Sequence, residues 1–115
     1  QDYDKVIEQL QEVEYDDPSY NLNSKTMLMF TYYETDEIDP LLSLLSSFAV
    51  YLRRNKQIPK GRKSHYLNLI KFMRALVRIP VSDKDALLQL EKKIRDTEGV
   101  VNKNWLLEKI DELTA

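Results

Sequence analysis

The chain has 115 residues, which fits one domain and allows a real buried core. With 43% hydrophobic and 31% charged residues and no apolar run near membrane-spanning length, the balance is that of an ordinary soluble protein. There is no cysteine, so disulfides, thiol chemistry and cysteine-bound metal are excluded, and with only two glycines a backbone cradle for phosphate is not expected.

The formal net charge of -2 conceals a segregation along the chain. Residues 1–39 carry eleven acids and two bases, a net of -9. Residues 40–82 carry nine bases and no acid, a net of +9, and residues 83–115 carry six bases and eight acids, a net of -2. Such asymmetry fits either a basic binding surface or an acidic first third folded against the basic middle. Four prolines and two glycines leave room for long regular elements, and Leu, Lys, Glu, Gln, Arg and Met make helix the expected state.

The first predicted helix runs from about Tyr3 to Glu14, with Val6, Ile7, Leu10 and Val13 as its buried stripe and Asp2 or Asp4 as its cap. Pro18 closes it, because the residue before a proline is pushed out of helical geometry. A second helix is expected over Tyr20 to Thr35, with Met27, Met29, Phe30 and Tyr33 towards a partner helix. The run from Met27 to Tyr33 is nearly apolar all round, so a strand is the competing reading there.

Asp39 as cap and Pro40 in the first helical position start a third helix, which ends near Arg54 and Asn55. Leu41, Leu45, Phe48 and Leu52 form one stripe, with Ile38, Leu42 and Ala49 beside it. The fourth helix begins between Pro59 and Lys63 and reaches about Ile79. Tyr66, Leu69, Ile70, Phe72, Met73, Leu76, Val77 and Ile79 cover its inner half, while Lys60, Lys63, Lys71, Arg74 and Arg78 collect into a stripe opposite, with Leu67 in its middle. Ser82 is the expected cap of a fifth helix with Leu87, Leu90 and Ile94 inside, and Gly99 its expected terminator. A sixth helix then spans Val100 or Asn102 to Leu113, with Val101, Trp105, Leu106, Ile110 and Leu113 inward and Trp105 as a packing anchor.

Chemistry is sparsely represented. His65 is the lone histidine, and neither a zinc pattern nor a calcium loop is present in the sequence. No phosphate loop, dinucleotide fingerprint or nucleophile elbow is present either. A non-enzyme with no cofactor, no metal and no catalytic residue is therefore expected. The candidate partner-binding set is Arg53, Arg54, Lys56, Lys60, Arg62, Lys63, Leu67, Lys71, Arg74 and Arg78. Cations in such number could hold phosphate backbones by counterion release, but the chain as a whole is acidic, with a pI near 5.4, so an acidic protein partner is the first expectation and nucleic acid the alternative. A third reading is an enzyme with its site near Tyr32, Tyr33, Glu34 and His65.

At Tyr32-Tyr33-Glu34, followed by Leu41-Leu42-Ser43-Leu44-Leu45 and Phe48, the chain resembles a degenerate tetratricopeptide-type helical hairpin. Tyr51-Leu52-Arg53-Arg54-Asn55-Lys56, Tyr66-Leu67-Asn68-Leu69-Ile70-Lys71 and Trp105-Leu106-Leu107-Glu108-Lys109-Ile110 look like the C-terminal regions of large bacterial helical-repeat proteins. The resemblance covers roughly residues 20–113. It implies an all-α fold of about six antiparallel helices stacked as α-α hairpins, a fragment of a right-handed superhelix acting as a scaffold. Residues 1–115 are then expected to form a single helical domain, the C-terminal fragment of a longer helical-repeat protein. The chain starts at Gln1 rather than Met, which suits that reading. Its partner would be another protein or upstream repeats of the same chain, without membrane insertion, and its expected location is cytoplasmic.

Overall fold

The computed structural model describes residues 3, 4, 6, 7 and 18–115. Among these the chain is all-helical, with no strand. Five helices follow one another: α1 (Pro18–Glu34), α2 (Ile38–Arg54), α3 (Lys60–Arg78), α4 (Lys84–Asp96) and α5 (Lys103–Thr114). The predicted helix from Tyr3 to Glu14 lies outside the described residues except at Tyr3, Asp4, Val6 and Ile7, which are helical. The chain divides into two compact units, Gln1–Ile58 and Pro59–Ala115.

In the first unit α1 and α2 form a hairpin. The reversal is a Schellman closure. Asp36 takes the left-handed conformation at φ 58°, its N–H donates to the Tyr33 carbonyl at 3.1 Å, and the Glu37 N–H reaches back to the Tyr32 carbonyl at 2.9 Å. This closure brings α2 in earlier than expected. The helix starts at Ile38 with Glu37 in the cap position and no side-chain capping bond, so Asp39 is not the cap but an acid of the first turn. Pro40 falls third in the helix, still among the positions whose N–H has no intrahelical partner.

On α2 Leu41, Leu45, Phe48 and Leu52 are buried, the stripe expected from their spacing; of the stripe beside it only Ala49 is buried, while Ile38 and Leu42 are half-buried. On α1 the expectation fails in part. Met29 is fully buried, but Met27 is 56% exposed and Phe30 and Tyr33 are only half-buried. The buried places go to Leu22, Thr26, Leu28, Thr31 and Tyr32 instead. Together with Met29 these spread over roughly 220° at 100° per residue, so no single face stands out. The two buried threonines are satisfied locally. Thr26 Oγ1 donates to the Leu22 carbonyl at 2.7 Å and Thr31 Oγ1 to the Met27 carbonyl at 2.8 Å, which removes most of the cost of burying a hydroxyl. At the other end of the hairpin, Asn21 and Asn55 both donate to the Tyr51 hydroxyl, at 3.3 and 3.1 Å, and Lys25 Nζ stands 5.0 Å from the Tyr51 ring centroid. Tyr51 thereby ties the start of α1 to the end of α2.

In the second unit α3 packs on both α4 and α5, which pack on each other. Tyr66, Leu69, Ile70, Phe72, Met73 and Leu76 of α3 meet a core completed by Leu87, Leu90, Ile94, Leu106 and Ile110. Val77 and Ile79, expected inside, are half-buried near the helix end, as are Val101, Trp105 and Leu113. Trp105 lies under Lys109, whose Nζ is 5.5 Å from the ring centroid.

The cap of α4 is Asp83 rather than Ser82. Its carboxylate accepts the Ala86 N–H at 3.1 Å, and an anion there also suits the positive helix end. Gly99 does not end α4, which stops at Asp96 with Thr97 in extended conformation. The two ends of the α4–α5 pair are tied by lysines. Lys103 donates to the carbonyls of Thr97 at 2.6 Å and Arg95 at 3.3 Å, while Lys84 donates to the Leu113 carbonyl at 2.6 Å. Both ammonium groups thus satisfy carbonyls at a helix C-terminal end, where cations are favoured. The same bonds make α4 and α5 antiparallel.

The loop between α4 and α5 docks on α3. The Val101 N–H donates to the His65 carbonyl at 3.3 Å and Asn68 Nδ2 to the Gly99 carbonyl at 3.1 Å. Gly99 has φ +70°, and a Cβ there would overlap the His65 imidazole.

Candidate interaction surface

The helical pitch of α3 places Lys60, Lys63, Leu67, Lys71, Arg74 and Arg78 within an arc of roughly 80° over a length of about 27 Å. Leu69, Met73 and Leu76, all buried, lie on the other side of the helix. Lys60, Lys71 and Arg78 are exposed, and Lys63 and Arg74 half-buried. Leu67 is half-buried, with Lys63 and Lys71 one turn away on either side, so a strip of aliphatic surface sits between cationic heads. Lys71 Nζ also lies 5.5 Å from the Phe72 ring centroid.

The first turn of α3 is electrostatically unusual. It holds Lys60, Arg62 and Lys63, no acid, and Pro59 as a cap without a side-chain bond. Cations at that end oppose the helix macrodipole, which favours negative charge there. Arg62 is exposed. The remaining candidates, Arg53, Arg54 and Lys56, belong to the first unit. Arg53 and Arg54 occupy the last turn of α2, where the macrodipole favours them, and all three are exposed.

The units differ in charge. Residues 1–58 carry five bases and eleven acids, a net of -6, and residues 59–115 carry twelve bases and eight acids, a net of +4. The acidity of the whole chain therefore conceals a basic second unit.

The residues of the enzyme reading are distributed over both units. Tyr32 is buried on α1, Tyr33 is half-buried and Glu34 is exposed at the end of that helix. His65 belongs to α3, with its ring against Gly99. Among the described residues no group of three His, Asp or Glu side chains is placed to hold a metal ion, and no helix is long and apolar enough to cross a membrane.

A second surface was not expected from the sequence. Shallow grooves run along the outer side of α2, lined by Leu42, Ser43, Ser46, Ser47 and Val50, and continue past Tyr51 to Arg54 and Asn55. A further groove reaches from Ser43 and Ser47 to Leu28 and Tyr32 on α1. The signal was in the spacing: Ser43, Ser46, Ser47 and Val50 all fall opposite the Leu41–Leu52 stripe. Compared with known proteins, the chain matches no family model, no curated protein and no solved structure.

Proposed function

We propose that this chain is a non-catalytic protein-interaction or scaffolding module that receives an acidic protein surface on the basic stripe of α3. The observation that carries this reading is the arrangement of Lys60, Lys63, Lys71, Arg74 and Arg78 around Leu67, on the side of α3 opposite its buried residues. A cationic strip with an aliphatic centre fits an acidic amphipathic helix, whose carboxylates would meet the cations while an apolar side chain covers Leu67. The uncapped, acid-free first turn supports the same partner chemistry, because an incoming carboxylate would relieve the opposed macrodipole. The α1–α2 hairpin is of the kind that helical-repeat scaffolds stack, which supports reading the chain as a tetratricopeptide-like fragment of a longer array.

Phosphate is the second reading, since the same cations would neutralise a nucleic-acid backbone. The two are separated by measuring binding of poly-L-glutamate and of a DNA duplex to the full chain over a salt series. The protein reading expects poly-glutamate to bind more tightly than DNA, and Lys71→Glu with Arg74→Glu to weaken it by at least about tenfold. Tighter duplex binding with a steep salt slope would transfer the stripe to nucleic acid. Binding of both probes unchanged by the double substitution would remove the stripe from the function altogether.

A further inference from the structure

We infer that the outer face of α2 is a self-complementary surface on which a second copy of this chain docks, the two α2 helices lying antiparallel about a two-fold axis. The face consists of Asp39, Ser43, Ser46, Ser47, Val50 and Arg54, all exposed, with Val50 at 43%. At 100° per residue these six positions span an arc of roughly 100°, opposite the buried Leu41, Leu45, Phe48 and Leu52.

The order of residue types along the face is what selects a second copy as occupant. An acid stands at the N-terminal end, a cation at the C-terminal end, and neutral residues fill the middle. A two-fold axis between positions 46 and 47 places Ser46 beside the partner's Ser47, Ser43 opposite the partner's Val50 and Asp39 opposite the partner's Arg54. The charge pair then occurs twice, once at each end, as an isologous interface requires. A parallel arrangement would instead set Asp39 beside Asp39 and Arg54 beside Arg54, a repulsion at both ends. Neither Asp39 nor Arg54 forms an ion pair with another described residue. The serines present little bulk, so the helix axes can approach closely and Val50 can enter the groove beside the partner's Ser43.

One helix pair buries less than the roughly 1,200 Å² of a standard stable interface. The association is therefore concentration-dependent and salt-sensitive rather than obligate. It concerns the first unit and does not rest on the α3 stripe.

Sedimentation equilibrium of the full chain at low salt, from roughly 10 µM to 1 mM, tests the inference. A monomer–dimer equilibrium is expected. Asp39→Arg alone and Arg54→Asp alone should each weaken it at least about tenfold, because each places two like-charge pairs in the dimer. An equimolar mixture of the two variants should restore a dimer, now mixed, since position 39 of one then complements position 54 of the other. Ser43→Arg, an exposed substitution in the middle of the face, should also abolish association while circular dichroism and the unfolding midpoint, both read at a dilution where the parent chain is monomeric, stay unchanged. A chain that is monomeric throughout, or a dimer that the single variants leave intact, would overturn the inference. So would a mixture that fails to associate while both variants remain folded.

Discussion

Gly99 lies against the imidazole of His65, so that a Cβ at position 99 would overlap ring atoms Cδ2 and Nε2, and its backbone is left-handed at φ +70°. The residue is thus constrained twice, by conformation and by space. A left-handed alanine costs about 1–2 kcal/mol. The overlap adds less than its closeness suggests, because His65 is exposed and its ring can swing away. Gly99→Ala is expected to lower stability by about 1–3 kcal/mol in urea unfolding. In a His65→Ala background the same change should cost only about 1–2 kcal/mol, the conformational part.

Asp36 carries the left-handed position of the α1–α2 reversal without being a glycine. Asp36→Gly is therefore expected to raise stability by about 0.5–1 kcal/mol. Asp36→Val, a β-branched residue forced to positive φ, should lower it by about 1–2 kcal/mol. Thermal or urea unfolding reads both.

Asp83 and Ser82 compete for the start of α4, and only the Asp83 carboxylate accepts the Ala86 N–H. Asp83→Ala should destabilise by about 1 kcal/mol. Ser82→Ala should stay within about 0.5 kcal/mol of the parent, as exposed substitutions away from a cap do.

Met27 and Met29 separate the two sides of α1. Met29 is fully buried, and Met29→Ala should cost about 2–4 kcal/mol through lost transfer energy and the cavity left behind. Met27→Gln, at a position 56% exposed, should leave the unfolding midpoint almost unchanged. Equal losses at both positions would show that α1 buries a different side.

Legibility in the sequence varied with how one-sided each helix is. On α3 and α4, greasy and charged positions alternate with a single helical period, and the buried residues, from Tyr66 to Leu76 and from Leu87 to Ile94, stand where that period puts them. The cationic stripe of α3 was legible for the same reason. On α1 the run from Met27 to Tyr33 is apolar nearly all round, and two of the helix's buried places are held by threonines bonded to their own preceding turn. A hydroxyl that finds its partner four residues back carries no signature in hydrophobic spacing. The start of α4 differs from expectation by one residue because Asp83 is chemically able to do the work of Ser82, and the start of α2 by two because the turn at Asp36 opens the helix at Ile38 without any side-chain cap. The grooved face of α2 was overlooked because serines read as neutral filler until the opposite stripe is known to be buried.

What the residues determined alone is that the chain is helical outside the run from Met27 to Tyr33, roughly where its breaks fall, and which side of α3 collects the cations. Those follow from local propensity and from the 3.6-residue period of a helix, both of which act within a few neighbouring residues. Tertiary structure decided that Gly99 serves as a seat for His65 instead of ending a helix. It also decided that Met27 faces outward while Thr31 is covered. Each of these depends on what a distant part of the chain brings within a few ångströms, and no local pattern encodes that neighbour.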